Sequence, residues 1–186
     1  MPKDYNKIPI DKPRRKDRVA DEFVVKDFLK KSAYCSIANI LDGQPFIHTN
    51  IFYYDEAENA IYFHTASEGR FRFNVEKNNK VCFSISSMGR LLPADLALEF
   101  SVEYEGALVF GNVEIVEDNK ARKVILQKLL DKYFPHLIPD QDYKSTTDKE
   151  LTRTTVFQLN IDKMGGKKKV EKEDFSGAFI YGEKDA

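Results

Sequence analysis

The chain reads as a mostly β protein, an antiparallel barrel flanked by a few helices, and three observations predict it. About six short apolar runs, rich in β-branched and aromatic residues, are bounded by Gly, Pro, Asn and Asp. Helical periodicity is strong in only one long segment, so there are too few crossover helices for a parallel sheet. Long apolar strands left open at their edges would aggregate, which favours closure of the sheet on itself. Neither Gly-x-Gly-x-x-Gly nor a P-loop is present, so the usual nucleotide folds are not indicated.

The elements follow in order. Residues 1–16 are polar and basic, with prolines at Pro2, Pro9 and Pro13, and read as an arm draped over the domain or over a partner. From Asp17 to Lys31, Phe23, Val24, Phe28 and Leu29 recur at helical spacing, with Asp17 or Asp21 as the cap. Ala33 to Ile40 is a strand, and Asp42-Gly43-Gln44 turns it into a second, Pro45 to Tyr54. Asp55 to Asn59 turns into a third, Ala60 to His64, and a short helix follows near Glu68 to Lys77. Val81 to Ser86 is a fourth strand and Met88 to Leu98 a loop. Phe100 to Val116 is a long β stretch, bent or broken at Gly106 and Gly111. Lys120 to Phe134 is the strongest helix, ended by Pro135. A polar loop, Asp140 to Lys149, precedes the last strand, Thr154 to Ile161, and Gly165-Gly166 reads as a turn. The domain therefore spans 17–167, and 168–186 is a charged tail.

Composition narrows the function. At 186 residues the chain suits one domain with a sizeable core. A net charge of -1 gives no electrostatic case for nucleic acid or an anionic membrane. No apolar run approaches the roughly 20 residues of a bilayer span, and the first residues lack the apolar core of a secretion signal. A cytoplasmic location is the expectation. Cys35 and Cys82 sit in apolar strand patterns without C-x-x-C spacing and read as buried free thiols. With His48, His64 and His136 dispersed, no metal site is expected.

The chemistry concentrates at one strand exit. Ala60-Ile61-Tyr62-Phe63-His64 runs into Thr65-Ala66-Ser67-Glu68-Gly69-Arg70. Hydroxyls, a glycine and a guanidinium arrive where a strand gives way to a helix, which is what a phosphate needs. The aromatic strand backbone beside it offers a seat for a flat ring. The residues themselves thus point to a phosphorylated aromatic cofactor. Each has a plainer role open to it: His64 and His48 as packed histidines, Arg70 and Arg72 as surface charges, Ser67 as a helix cap. Their co-location carries the functional reading.

Several strings carry a resemblance: Asp42-Gly43-Gln44-Pro45-Phe46, then Ile61 through Arg70, then Val81-Cys82-Phe83. The chain resembles the flavin-nucleotide-binding proteins related to pyridoxamine 5′-phosphate oxidase, in the branch of the nitroimidazole-resistance proteins. Arg14 to Arg18, Tyr104 to Gly111 and the strand entering Gly166-Lys167 fit that branch. The resemblance implies an FMN-binding split β-barrel and a homodimer with FMN at the subunit interface. It implies that His48, Thr49 and Asn50 line the flavin ring, and that His64, Thr65, Gly69 and Arg70 surround the ribityl chain and phosphate. Tyr104, Glu105 and Gly106 match a further cofactor strand. Many relatives carry Arg-Lys where this chain has Arg70-Phe71, so Arg72 is the candidate replacement cation. The expected function is that of an FMN-dependent oxidoreductase acting on a small redox substrate, with no catalytic side chain identified. A non-catalytic flavin carrier or sensor, or a haem or deazaflavin protein on the same barrel, is the competing reading.

Overall fold

A computed structural model describes residues 4–183. The arm makes single 3-10 turns at Tyr5–Lys7 and Lys16–Arg18, then a two-residue strand β1 (Val19–Ala20). Helix α1 (Glu22–Lys31) starts at Asp21, whose carboxylate accepts the Val24 N–H at 2.9 Å. Its buried residues are Val25 and Leu29, one turn apart, whereas Phe23 is exposed. Strands β2 (Cys35–Leu41) and β3 (Gln44–Asn50) are joined by Asp42 and Gly43, with φ of 52° and 77°. Both positive angles belong to the type I′ turn that an Asp-Gly pair favours.

The stretch from Pro45 to Tyr54 is not one strand. It parts at Ile51 and Phe52, and β4 (Tyr53–Asp55) pairs with β5 (Ala60–Ala66). Phe52 is wholly buried there, and its carbonyl accepts from Lys132 and Tyr133. Helix α2 (Arg70–Lys77) leads to β6 (Lys80–Leu92) and β7 (Ser101–Ile115), then to helices α3 (Asn119–Tyr133) and α4 (Asp148–Leu151) and strand β8 (Thr154–Lys169). All strand pairs are antiparallel, in the order β3-β2-β6-β7-β8-β5-β4, with β1 on β8. The protein is thus mostly antiparallel β with few helices. At one corner the Asn50 Nδ2 donates to the His64 carbonyl at 2.5 Å, tying the end of β3 to β5 without a ladder.

Register explains the core. Ile37, Phe83 and Val109 stand opposite one another and face inward; the neighbouring row Ser36, Ser84 and Leu108 faces outward. Phe52, Phe63 and Phe157 complete the interior. A smaller cluster of Ala60, Tyr62, Val156 and Ile125 packs α3 against the outside of β5.

Three further segments differ from the sequence expectation for tertiary reasons. Gly165 and Gly166 lie inside β8, not in a turn: a Cβ on Gly165 would collide with the Asp11 carbonyl, and one on Gly166 with Val25. The glycines let the arm and α1 lie flat on the strand. Within 140–149 the loop gives way to α4, started by a capping box between Thr147 and Glu150. Strand β6 runs on through Met88 to Leu92, with a register shift between Met88 and Leu91.

That shift frees Arg90 to reach Glu103, at 2.9 Å from Nε and 2.7 Å from Nη2. The same guanidinium donates to the carbonyls of Glu171, Lys172 and Glu173, and Glu103 accepts the Glu171 N–H at 2.8 Å. Beyond it, Phe179 forms a bridge with Leu91. The pair latches the tail to β6 and β7. The Arg90 hydrogen bond, then the Glu171 amide, pulls the Glu103 carboxyl down to about 2 from 4.5. A carboxylate with a depressed pKa stabilises the fold above its unfolded value and stops doing so as pH falls through the folded one. The latch is therefore intact above pH 4.5 and opens toward pH 2. The Glu171 amide resonance should titrate with a midpoint near 2 and shift at neutral pH in Glu103→Gln. A midpoint at the ordinary carboxylate value would show the latch is not formed.

Candidate functional site: a strand exit beside an open helix start

Strand β5 delivers His64 and Thr65 to the corner where α2 begins. The helix has Gly69 at its N-cap, with φ 150° and no side-chain cap, so Ser67 is not the cap. A positive φ of this kind suits glycine, and the first N–H groups of α2 are left without intrahelical partners. Arg70 opens the helix on its exposed side, its guanidinium 5.7 Å from the Phe73 ring. No hydrogen bond or ion pair engages that guanidinium among the described residues. An open helix start, the Thr65 hydroxyl and a free arginine form a donor set that fits a phosphate.

Thr65 at present donates to the Ala66 carbonyl at 2.7 Å. His48 and Asn50 face the interior side of β3, while Thr49 is exposed on the outer side. The His48 ring stacks on Phe71 at 5.1 Å, and Asn50 lies 3.3 Å from His48 Nε2 while also holding the His64 carbonyl. The His64 ring turns to the other face of β5, toward Leu129, Leu130 and Tyr133 of α3, and its Nδ1 is buried without a partner. Burial pushes the pKa of both histidines below the usual range, so both are neutral near pH 7.

Two neighbours of Arg70 have other work. Phe71 is buried in the core, edge-on to Phe63 and Phe157. Arg72 donates to the Ser67 carbonyl, to Thr155 Oγ1 and to Glu76. It braces the strand exit rather than extending toward solvent.

Tyr104, Glu105 and Gly106 form a separate group. They lie on β7, with β2 and β6 between them and β3. Three strand spacings of about 4.8 Å put them roughly 14 Å across the sheet. Tyr104 and Gly106 line a cavity of about 290 Å³ on the outer face, roofed by the arm at Asp11 to Arg14 and floored by Ser84 and Ser86. Arg18 sits over the Tyr104 ring at 5.9 Å, and Glu105 pairs with Lys168 at 3.3 Å. Sequence reasoning did not connect the arm with this cavity; the basic run Arg14 to Arg18 was the available signal.

One chain thus assembles His48, Asn50, Thr65, Gly69 and Arg70 at one corner and leaves Tyr104, Glu105 and Gly106 elsewhere on the sheet. A model of the pyridoxamine 5′-phosphate oxidase family matches residues 21–168. Among solved structures, the flavocytochrome Anf3 of Azotobacter vinelandii aligns at TM-score 0.75 and 22% identity, over 86% of this chain and 73% of its own. A 5-nitroimidazole antibiotic resistance protein of Bacteroides thetaiotaomicron, so described by its structure's authors as a candidate, aligns at 0.66 and 23%, over 80% and 85%. The FAD and haem binding protein of Mycobacterium smegmatis aligns at 0.74 and 20%, over 83% and 74%. A comparison with curated proteins gives no match. At these identities the structures speak for the fold alone, a split β-barrel. The family match runs from the cap of α1 to the end of β8 and takes in both groups of residues: the chain belongs to the pyridoxamine 5′-phosphate oxidase family.

Proposed function

We propose that the chain binds FMN at the β5–α2 corner and works as a cytoplasmic, FMN-dependent oxidoreductase, with a homodimer as the active form. The observation that carries this reading is the uncommitted Arg70 guanidinium beside the glycine-capped start of α2. One free cation and one helix start suit a single terminal phosphate. That favours FMN over the FAD named for several of the structural neighbours. When bound, the flavin supplies the redox chemistry, while the protein orients it and sets its surroundings. Here Arg70 and the α2 amides would hold the phosphate. Thr65 would exchange its local bond for one to the ribityl chain, and His48 and Asn50 would border the ring with neutral donors and acceptors.

The second subunit is argued from the sheet. Its outer face carries Ile40, Ile47 and Leu108, which are 44%, 65% and 42% exposed. A self-complementary twofold contact is the commonest way to cover such a face. It would also supply a second wall for a half-exposed ring.

The test is direct. Purified protein should be yellow, release FMN on denaturation, bleach anaerobically with NADH or NADPH, and scatter light as a dimer. Flavin without bleaching by any donor would support a carrier. Released FAD, a Soret band or a flavin-loaded monomer would each overturn a named part of the reading.

A further inference from the structure

On the far side of Arg72, where α2, the end of β7, the start of β8 and α3 meet, lies a cavity of about 250 Å³. We propose that it is an oxyanion site, taking a tetrahedral phosphate, distinct from the flavin corner and independent of the flavin reading.

The argument starts from Arg122. It stands in the first turn of α3, where the helix dipole disfavours a cation. It is partly buried, yet among the described residues its bonds go only to neutral groups. Nη1 donates to the Asn119 side chain at 2.8 Å, and Nη2 to the carbonyls of Leu151 and Thr154. Its Nε is buried with no acceptor at all. Charges withdrawn from water are ordinarily paired, so a guanidinium without a carboxylate calls for an anion from outside.

The rest of the wall can help to hold one. Arg72 spends Nε on Glu76 and Nη1 on Ser67 and Thr155, which leaves Nη2. Thr155 Oγ1 accepts from Arg72 and keeps its own hydrogen to donate. The Ser67 hydroxyl has no bond among the described residues. Against these stands one acid, Glu117, exposed at the rim. The hydroxyls of Thr152 and Thr154 are already spent on the carbonyls of Lys149 and Glu150. Two guanidinium nitrogens, Arg72 Nη2 and Arg122 Nε, and two hydroxyls remain. Planar guanidinium forks match phosphate oxygens in geometry as well as charge. Arg70 does not line this cavity, so the two cationic sites are built from different arginines.

Calorimetry on the intact protein, with inorganic phosphate and with glycerol 3-phosphate against chloride at equal ionic strength, tests the proposal. Saturable binding of either phosphate is expected, weakened about tenfold or more by Arg122→Gln. Because Arg122 also holds two backbone carbonyls, Ser67→Ala provides the milder variant. It should weaken phosphate about threefold to tenfold, at the scale of one lost hydrogen bond, with an unchanged melting midpoint in phosphate-free buffer. Tighter binding of the ester would identify a phosphorylated metabolite as the source, and equal binding the free ion; both support the site. Absence of saturable binding, or binding indifferent to Ser67→Ala, would overturn it. So would displacement of phosphate by FMN but not by riboflavin, since the cavity would then be the flavin's own phosphate seat.

Discussion

Phe71→Ala is expected to destabilise the fold by about 3–5 kcal/mol, the usual cost of removing a core phenyl ring, and Phe71→Lys by more. Phe71 is 3% exposed and stands edge-on to Phe63 at 5.5 Å and to Phe157 at 5.4 Å. Those two rings stack on each other at 5.2 Å, and His48 stacks on Phe71 at 5.1 Å. Truncation opens a cavity among aromatic faces that cannot collapse into it. A lysine would place an ammonium, or the cost of neutralising it, in the same space. The family resemblance leads to the expectation of a lysine at this position, so the substitution would superficially supply a phosphate ligand. In this chain the helix presents the position to the core, so the expected outcome is loss of fold, not tighter FMN. Urea denaturation followed by circular dichroism measures it. A Phe71→Lys protein that melts where the parent does would show that residue 71 can swing out to solvent. The missing cation would then be a real vacancy.

The burial of Phe71 is instructive about what a sequence carries. Local chemistry was legible. The Asp42-Gly43 pair specified its turn, the 119–133 helix announced itself by period and by Pro135, and the hydroxyl-glycine-arginine string marked the strand exit. What could not be read were facts created by distant contacts. Gly165-Gly166 reads as a turn until the arm is seen crossing it. Met88 to Leu92 reads as a loop because its regularity comes from β7 and from Phe179, far off in the chain. Ile51 and Phe52 break a strand because α3 claims the Phe52 carbonyl. At the site the same rule holds. Arg70, Phe71 and Arg72 are consecutive, yet one faces solvent, one the core and one a neighbouring strand, a division made by the helix rotation of 100° per residue. Only the tertiary neighbours decide which of the three is free to meet a ligand.

That freedom makes Arg70 the residue on which the flavin reading turns. Arg70→Ala should weaken FMN roughly 10-fold to 150-fold. The range follows from a charge-assisted bidentate contact worth about 1.5–3 kcal/mol, at 1.4 kcal/mol per decade. Riboflavin, which lacks the phosphate, should be affected much less. The contrast isolates the phosphate because the side chain is exposed, packs only beside Phe73 and holds no other described group. Its removal should therefore leave the melting midpoint of the flavin-free protein within the small range typical of surface changes. Arg72→Ala provides the opposite pattern. Its guanidinium spans Ser67, Thr155 and Glu76, so its loss should lower stability and weaken both flavins together through the strand exit. Flavin fluorescence quenching on the flavin-free protein, measured with FMN and riboflavin in parallel, reads both. If Arg70→Ala holds FMN as the parent does while Arg72→Ala alone discriminates FMN from riboflavin, the phosphate lies on the β8 side of α2. The assignment of Arg70 would then fall, and the Arg72–Arg122 cavity would become the cofactor's anchor.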